Sequence, residues 1–217
     1  DSVGATYKYT GNSPELASAR FSGSIERSFV TPCDLTCFIP QAKAFIQKVY
    51  LDASFSGTGR HLNVSRLGLR SADGNTALSA SGFIDYSGKG RKSFRADISD
   101  MRIDGGTIKA LAGNGNTGNG AAGIAEKLGR ICFKGFIKGK DRQLSAAGTV
   151  GTDAGNASFE AGIDERKFHA KVIAEDINLE RILEDGSFGK LSADMAISGT
   201  TGNGIETVGA TGTISAL

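Results

Sequence analysis

The 217 residues include 25 Lys and Arg against 23 Asp and Glu, a net charge of +2, together with 31 Gly, 3 Pro, no Trp and 7% aromatic residues. A chain this close to neutral, with no basic cluster along it, is expected to bind no nucleic acid, and no run of about eighteen apolar residues is present to cross a membrane as a helix. Gly and Ala often stand where a densely packed sandwich would need bulk.

Residues 1–30 read as strands, with Ala17, Ala19, Phe21, Gly23 and Ile25 alternating with Ser18, Arg20, Ser22 and Ser24 at the period of two that puts successive side chains on opposite faces. The opening Asp1-Ser2-Val3 has neither the charged nor the apolar region of a signal peptide, so any export signal or anchor is expected outside this sequence. Pro14, Pro32 and Pro40 punctuate the next stretch, and Gln41 to Lys48 predicts one or two helical turns. Cys33, Cys37 and Cys132 are too few for a disulfide framework. The CDLTC segment reads as half a metal site or as a plain loop, oxidised or not; His61 and His169 are distant in sequence, which favours the loop. No metal or other cofactor is expected.

Alternation restarts with Val49, Leu51, Ala53 and Phe55 against Tyr50, Asp52, Ser54 and Ser56. Leu62 to Leu69 breaks the period and predicts a bulge near Arg66. Two further inward rows follow, Leu78, Ala80, Gly82 and Ile84, then Phe94, Ala96 and Ile98. The period then changes. Ile108, Leu111 and Ala112 predict a short helix over Thr107 to Gly113 with Gly113 as its C-cap, the GNGNTGNG tract from Gly113 to Gly120 reads as a flexible linker, and Ala121 to Leu128 adds a helical turn. That tract holds a literal G-x-G-x-x-G, but a helical pattern precedes it where a dinucleotide fingerprint needs a strand.

From Leu128 to Asp164 the chain is a meander of three strands. Ile131, Phe133, Gly135 and Ile137 face one way, followed by Leu144, Ala146, Gly148 and Val150, then Phe159, Ala161 and Ile163, with turn residues at Gly139 to Asp141 and Gly151 to Gly155. Phe168, Ala170 and Val172 come next, then a short helix carried by Leu179, Ile182 and Leu183 with Gly186 as its stop. Leu191, Ala193, Met195 and Ile197 form another inward row, and Val208, Ala210, Gly212 and Ile214 the final one. The second half repeats the first: Val49 to Gly57 corresponds to Ile131 to Gly139 and to Leu191 to Gly199, Gly74-Asn75 to Gly155-Asn156, and Phe94 to Phe168. The chain therefore reads as a single elongated segment with approximate repeats 49–128 and 129–189, flanked by partial ones at 1–48 and 190–217.

One-sided strands must hide their apolar face, and these helices are too short and few to do it. The fold expected is all-β: an elongated, curved, repetitive antiparallel sheet forming a groove, with one or two short helices per repeat. Of the inward strand residues named above, those from Val49 to Ile197, apart from Val150 and the glycines, are its expected lining, and an open apolar groove suits acyl chains, which need no hydrogen bonds.

The residues also carry a resemblance. Leu128, Gly129, Ile131, Phe133, Gly135 and Gly139, then Gly148, Thr152 and Gly155, match the pattern LG-x-I-x-F-x-G-x-x-x-G followed by G-x-x-x-T-x-x-G, which resembles the TamB branch of the AsmA-like family over most of residues 49 to 189. The resemblance implies a β-taco groove in a periplasmic protein anchored to the inner membrane. Such a protein conducts phospholipid toward the outer membrane, and an older reading has it assist outer-membrane protein assembly. The partners implied are phospholipid acyl chains, neighbouring β-repeats of a longer chain, and an outer-membrane barrel reached through regions outside this segment. A cell-surface β-sandwich binding or adhesin module is the alternative; its mark would be an exposed aromatic platform or an acidic calcium loop, and the tyrosines Tyr7, Tyr9, Tyr50 and Tyr86 are scattered. An enzyme is not expected, since no nucleophile elbow, metal-spaced histidine pair or paired carboxylates stand out, and His169 falls on the polar side of its strand.

Overall fold

A computed structural model describes residues 2–6, 9–10, 13–14, 19–31, 48–86, 92–112, 121–201 and 205–216. The Cys33 and Cys37 pair, the helical turns expected from Gln41 and the GNGNTGNG linker lie outside them. In chain order the elements are β1 (Ser2–Thr6), β2 (Tyr9–Thr10), β3 (Ser13–Pro14), β4 (Arg20–Val30), β5 (Val49–Thr58), β6 (His61–Ser71), β7 (Ala77–Asp85) and β8 (Ser93–Asp104). Helices α1 (Gly105–Ala112) and α2 (Ala121–Leu128) follow. The chain continues through β9 (Arg130–Lys140), β10 (Gln143–Thr152), β11 (Gly155–Asp164), β12 (Lys167–Asn178), α3 (Leu179–Leu183), β13 (Lys190–Thr201) and β14 (Ile205–Ala216).

Apart from the two-residue ribbon β2–β3, every strand belongs to one 12-stranded sheet ordered β1-β4-β5-β6-β7-β8-β9-β10-β11-β12-β13-β14. All its pairs are antiparallel, and β1 and β14 each pair on one side only, so the sheet is not closed. Twelve strands about 4.8 Å apart give a length of about 53 Å. Four strands and then a helical segment occur twice, as β5–β8 with α1 and α2, and as β9–β12 with α3.

The register aligns the apolar positions of successive strands. Ile25, Ala53, Leu67, Ala80, Ile98, Gly135, Gly148, Phe159, Val172 and Met195 form one continuous row across the sheet. The row beside it runs Gly23, Phe55, Val64, Gly82, Ala96, Ile137, Ala146, Ala161, Ala170 and Ile197. Aromatic rings lie over glycines of the neighbouring strand. A β-carbon on Gly23 would come 2.5 Å from the Phe55 ring and one on Gly57 2.9 Å from Phe21; Gly139 lies in the same way beneath Phe94, and Gly148 beneath Phe133.

Bulges bend this lattice. Register shifts fall at Glu26 and Arg27 of β4, at Ser65 and Arg66 of β6, at Ser99 and Asp100 of β8, and at Glu175 and Asp176 of β12. Each inserts an extra residue that raises the local twist, and Arg27 and Asp176 take positive φ of 50° and 54° there. Among the described residues no second layer covers the sheet. The buried apolar residues are Ala53, Ala77, Ala125, Ala154 and Ala193, and no large described side chain is fully buried. The accessible surface is 14507 Å², where a compact monomer of this mass exposes about 9,500 Å².

The helices gather at one end of the strands. Asp104 caps α1 by accepting from the Thr107 amide at 2.9 Å, and the Thr107 hydroxyl hydrogen bond holds its carboxyl below the usual carboxylate range. Gly105 lets α1 approach the Ala125 carbonyl of α2, and its amide donates to Gly129 O at 2.8 Å. Asn178 caps α3 by accepting from the Arg181 amide at 3.0 Å. The helix stops at Glu184, which adopts the left-handed conformation at φ 58°, and not at Gly186 as the sequence suggested. Arg181 then ties three segments together, donating to Lys127 O at 2.8 Å and reaching the Asp153 carboxylate at 3.5 Å, while Asp153 accepts from the Arg130 amide at 3.1 Å.

Gly129, at φ 73°, turns the chain inside this junction, where a β-carbon would strike Asp153 and Arg181; Gly74 has φ 74° but open space around it. Gly74→Ala should cost only the left-handed backbone penalty, about 1 kcal/mol, and Gly129→Ala about 2–3 kcal/mol, because the clash adds to it. Chemical denaturation measures the difference, and equal losses would mean that the junction is loose. The capping carboxylate adds a pH test. A depressed folded-state pKa stabilises above the unfolded value and is lost as pH falls, so the gap between wild type and Asp104→Ala should be about 1 kcal/mol near pH 6 and shrink toward pH 3.

Candidate functional site

The candidate site is the apolar face. Every lining residue expected from the sequence falls on it: Val49, Leu51, Ala53 and Phe55 on β5, then Leu78, Ala80 and Ile84 on β7 and Phe94, Ala96 and Ile98 on β8. Ile131, Phe133 and Ile137 on β9 continue the face, followed by Leu144 and Ala146, then Phe159, Ala161 and Ile163. Phe168, Ala170 and Val172 on β12 and Leu191, Ala193, Met195 and Ile197 on β13 complete it. From β5 to β13, five rows of side chains deep, this face measures roughly 40 Å by 27 Å, about 1,000 Å².

The sequence reading placed a bulge near Arg66, where the structure has it at Ser65 and Arg66, but missed the lining residues of β6: Leu62, Val64, Leu67 and Leu69 pair with Ile84, Gly82, Ala80 and Leu78. It also missed Met101 and Ile103 beyond the β8 bulge, and Ile177 beyond the β12 bulge. In each case the strand alternates correctly on both sides of a bulge but with its phase shifted by one residue. Two short alternating runs separated by an even gap, such as Leu62-Val64 and Leu67-Leu69, are the signal that would have found them.

Large apolar side chains of this face are open to solvent. Ile84, Phe94, Leu144, Ile163, Met195 and Ile197 are large, sit on it, and are 36% to 41% exposed. Two depressions open on it. One of about 240 Å³ is bounded by Leu62, Val64, Ile84 and Phe94, and the other, of about 370 Å³, by Leu144, Ala146, Ile163 and Phe168. Phe133 and Phe159 stack on this face at 6.1 Å between their ring centres.

The opposite face is polar and cross-linked by charge. Arg66 meets Asp52 at 3.2 Å and Lys171 meets Asp194 at 3.6 Å. Arg95 grips Asp97 in a two-pronged contact at 2.6–3.0 Å, which holds the Asp97 carboxyl below its ordinary range, and lies 4.9 Å over the Phe136 ring. His169 is exposed on this face, over Gly162. Tyr50 is exposed and paired in register with the exposed Phe29, so the aromatics of this face are less scattered than the tyrosines alone suggested. Among the described residues no group of three or more His, Cys, Asp or Glu side chains could hold a metal, and Cys132 is a free thiol.

Comparison with protein-family models, with curated proteins and with solved structures finds no match to this chain.

An open face changes what truncation costs. Ile163→Ala in a packed interior would lose about 2–5 kcal/mol. Here Ile163 is 41% exposed and leaves no sealed cavity, so the loss should be about 1 kcal/mol by chemical denaturation. A loss in the packed-core range would mean that something covers the face in solution.

Proposed function

We propose that this chain is a stretch of an apolar groove of the TamB and AsmA-like kind, which holds phospholipid acyl chains on their way between the inner and outer membranes of a bacterial envelope. The observation that carries the reading is the continuous apolar face of about 1,000 Å² with no second layer over it among the described residues, since soluble monomers rarely expose contiguous apolar patches above a few hundred Å². Acyl chains fit such a surface because they ask for neither hydrogen bonds nor a sealed pocket. Within this reading the protein is periplasmic, belongs to a longer inner-membrane-anchored chain, continues into further β-repeats and performs no catalysis. The β-sandwich alternative loses its structural premise, because among the described residues the only other sheet is the two-residue ribbon β2–β3.

Neighbouring residues on one strand separate this proposal from a packed core. Ala53 and Ala146 sit on the apolar face, and Ser54 and Ala147 on the polar one. Ala146→Asp should fold, because the carboxylate reaches solvent over an open face, and should lose binding of a fluorescent phospholipid, because an acyl chain at that point would strip the charge of water; Ala53→Asp, at a buried position, should lose the same binding with a lower melting temperature. Ser54→Asp and Ala147→Asp should change neither. Thermal melting recorded beside lipid binding checks both. Apolar-face variants that fold and still bind lipid would end the groove reading.

A further inference from the structure

The polar face carries a cavity that the linear charge pattern hid. It has a volume of about 690 Å³ and is built on β4 to β8. Three bulges converge on it, delivering Arg27 from β4, Ser65 and Arg66 from β6, and Ser99 and Asp100 from β8. The regular positions of β6 and β8 add Arg70 and Arg102, which flank Ala77 in register, two strand spacings or about 10 Å apart. Between these long side chains lie only small residues, Gly68, Ser79 and Ser81, and Tyr50 stands at the margin. Large walls over a floor of small residues make a cavity out of a sheet surface that would otherwise be flat.

Its charge is unbalanced. Four guanidinium groups face two carboxylates, a surplus of two positive charges. Asp52 is engaged with Arg66 at 3.2 Å and with the Arg27 amide at 3.1 Å, and Asp100 with Arg102 at 3.3 Å. Arg27 and Arg70 are left with guanidinium groups that meet no carboxylate among the described residues. Arg27 also holds a left-handed backbone, φ 50°, that a side chain of its kind rarely adopts, and the Asp52 contact to its amide fixes it there.

We propose that this cavity binds the phosphate group of a phosphorylated polar ligand. The guanidinium fork matches phosphate oxygens in paired hydrogen bonds, and the volume lies in the range of small-molecule sites and well above that of a bare ion. The site is independent of the groove, because side chains on one strand alternate between faces and the sheet stands between the two.

Calorimetric titration with pyrophosphate at low salt tests it on the whole chain. One site is expected, with Arg70→Gln weakening binding about tenfold or more, Arg70→Lys falling between, and Arg95→Gln, on the same face but outside the cavity and already held by Asp97, leaving it unchanged. Circular dichroism confirms that each variant folds. Sedimentation with phosphatidic acid vesicles against phosphatidylcholine vesicles identifies the source of the phosphate, and an Arg70-dependent loss in either arm supports the site. Equal losses in Arg70→Gln and Arg95→Gln, or no binding of either probe, would overturn it whatever happens to acyl-chain binding on the other face.

Discussion

Rings laid on glycines are the contact on which this structure depends. An uncovered sheet has no second layer to press against its apolar side chains, so they must shield one another within the face. A ring standing upright would be surrounded by water, whereas one lying across the glycine of the next strand covers that strand's backbone and its own lower surface together. Phe55 over Gly23, Phe21 over Gly57, Phe94 over Gly139 and Phe133 over Gly148 repeat this arrangement from β4 to β10. Glycine and alanine, which leave the face too thin for a sandwich, are what allow it to be a usable surface without one. That no large described side chain is fully buried is the cost of the arrangement, and also what keeps the surface accessible.

The part of this fold legible in the sequence was the part that obeys a strict period. Alternation located the apolar rows of β5, β7 and β9 to β13, because in a meander each strand is read independently of its partners. Three things were not legible. Bulges shift the phase, so the break near Arg66 was legible while the lining residues of β6 and of the far ends of β8 and β12 were not, although they are as apolar as their neighbours. The stop of α3 was placed on Gly186, by the usual preference for glycine, when Glu184 takes the left-handed turn instead. Most of all, the sequence showed no basic cluster: Arg27, Arg66, Arg70 and Arg102 are spread over seventy-five positions and meet only because the strands between them stack in order.

The two faces divide the work of holding the sheet together. On the apolar side, cohesion comes from overlap of neighbouring side chains and needs no exact partner. On the polar side it comes from discrete pairs between strands, such as Arg66 with Asp52 and Lys171 with Asp194, each screened by water and each weak alone. The helical end adds a third kind of contact, in which backbone carbonyls and amides of Lys127, Leu128 and Arg130 are tied to Asp153 and Arg181. This junction ties the end of α2 and the start of β9 to the turn between β10 and β11 and to α3.

Because spatial order follows chain order from β4 to β14, the sheet is also a ruler. Its graduation is the hairpin, since adding or removing one strand would reverse every later strand and send each following helix to the opposite end. Adding or removing two leaves direction, facing and helix position intact and changes the length by about 9.6 Å. A surface of this construction can be matched to a distance in steps of that size, with no residue elsewhere in it needing to change.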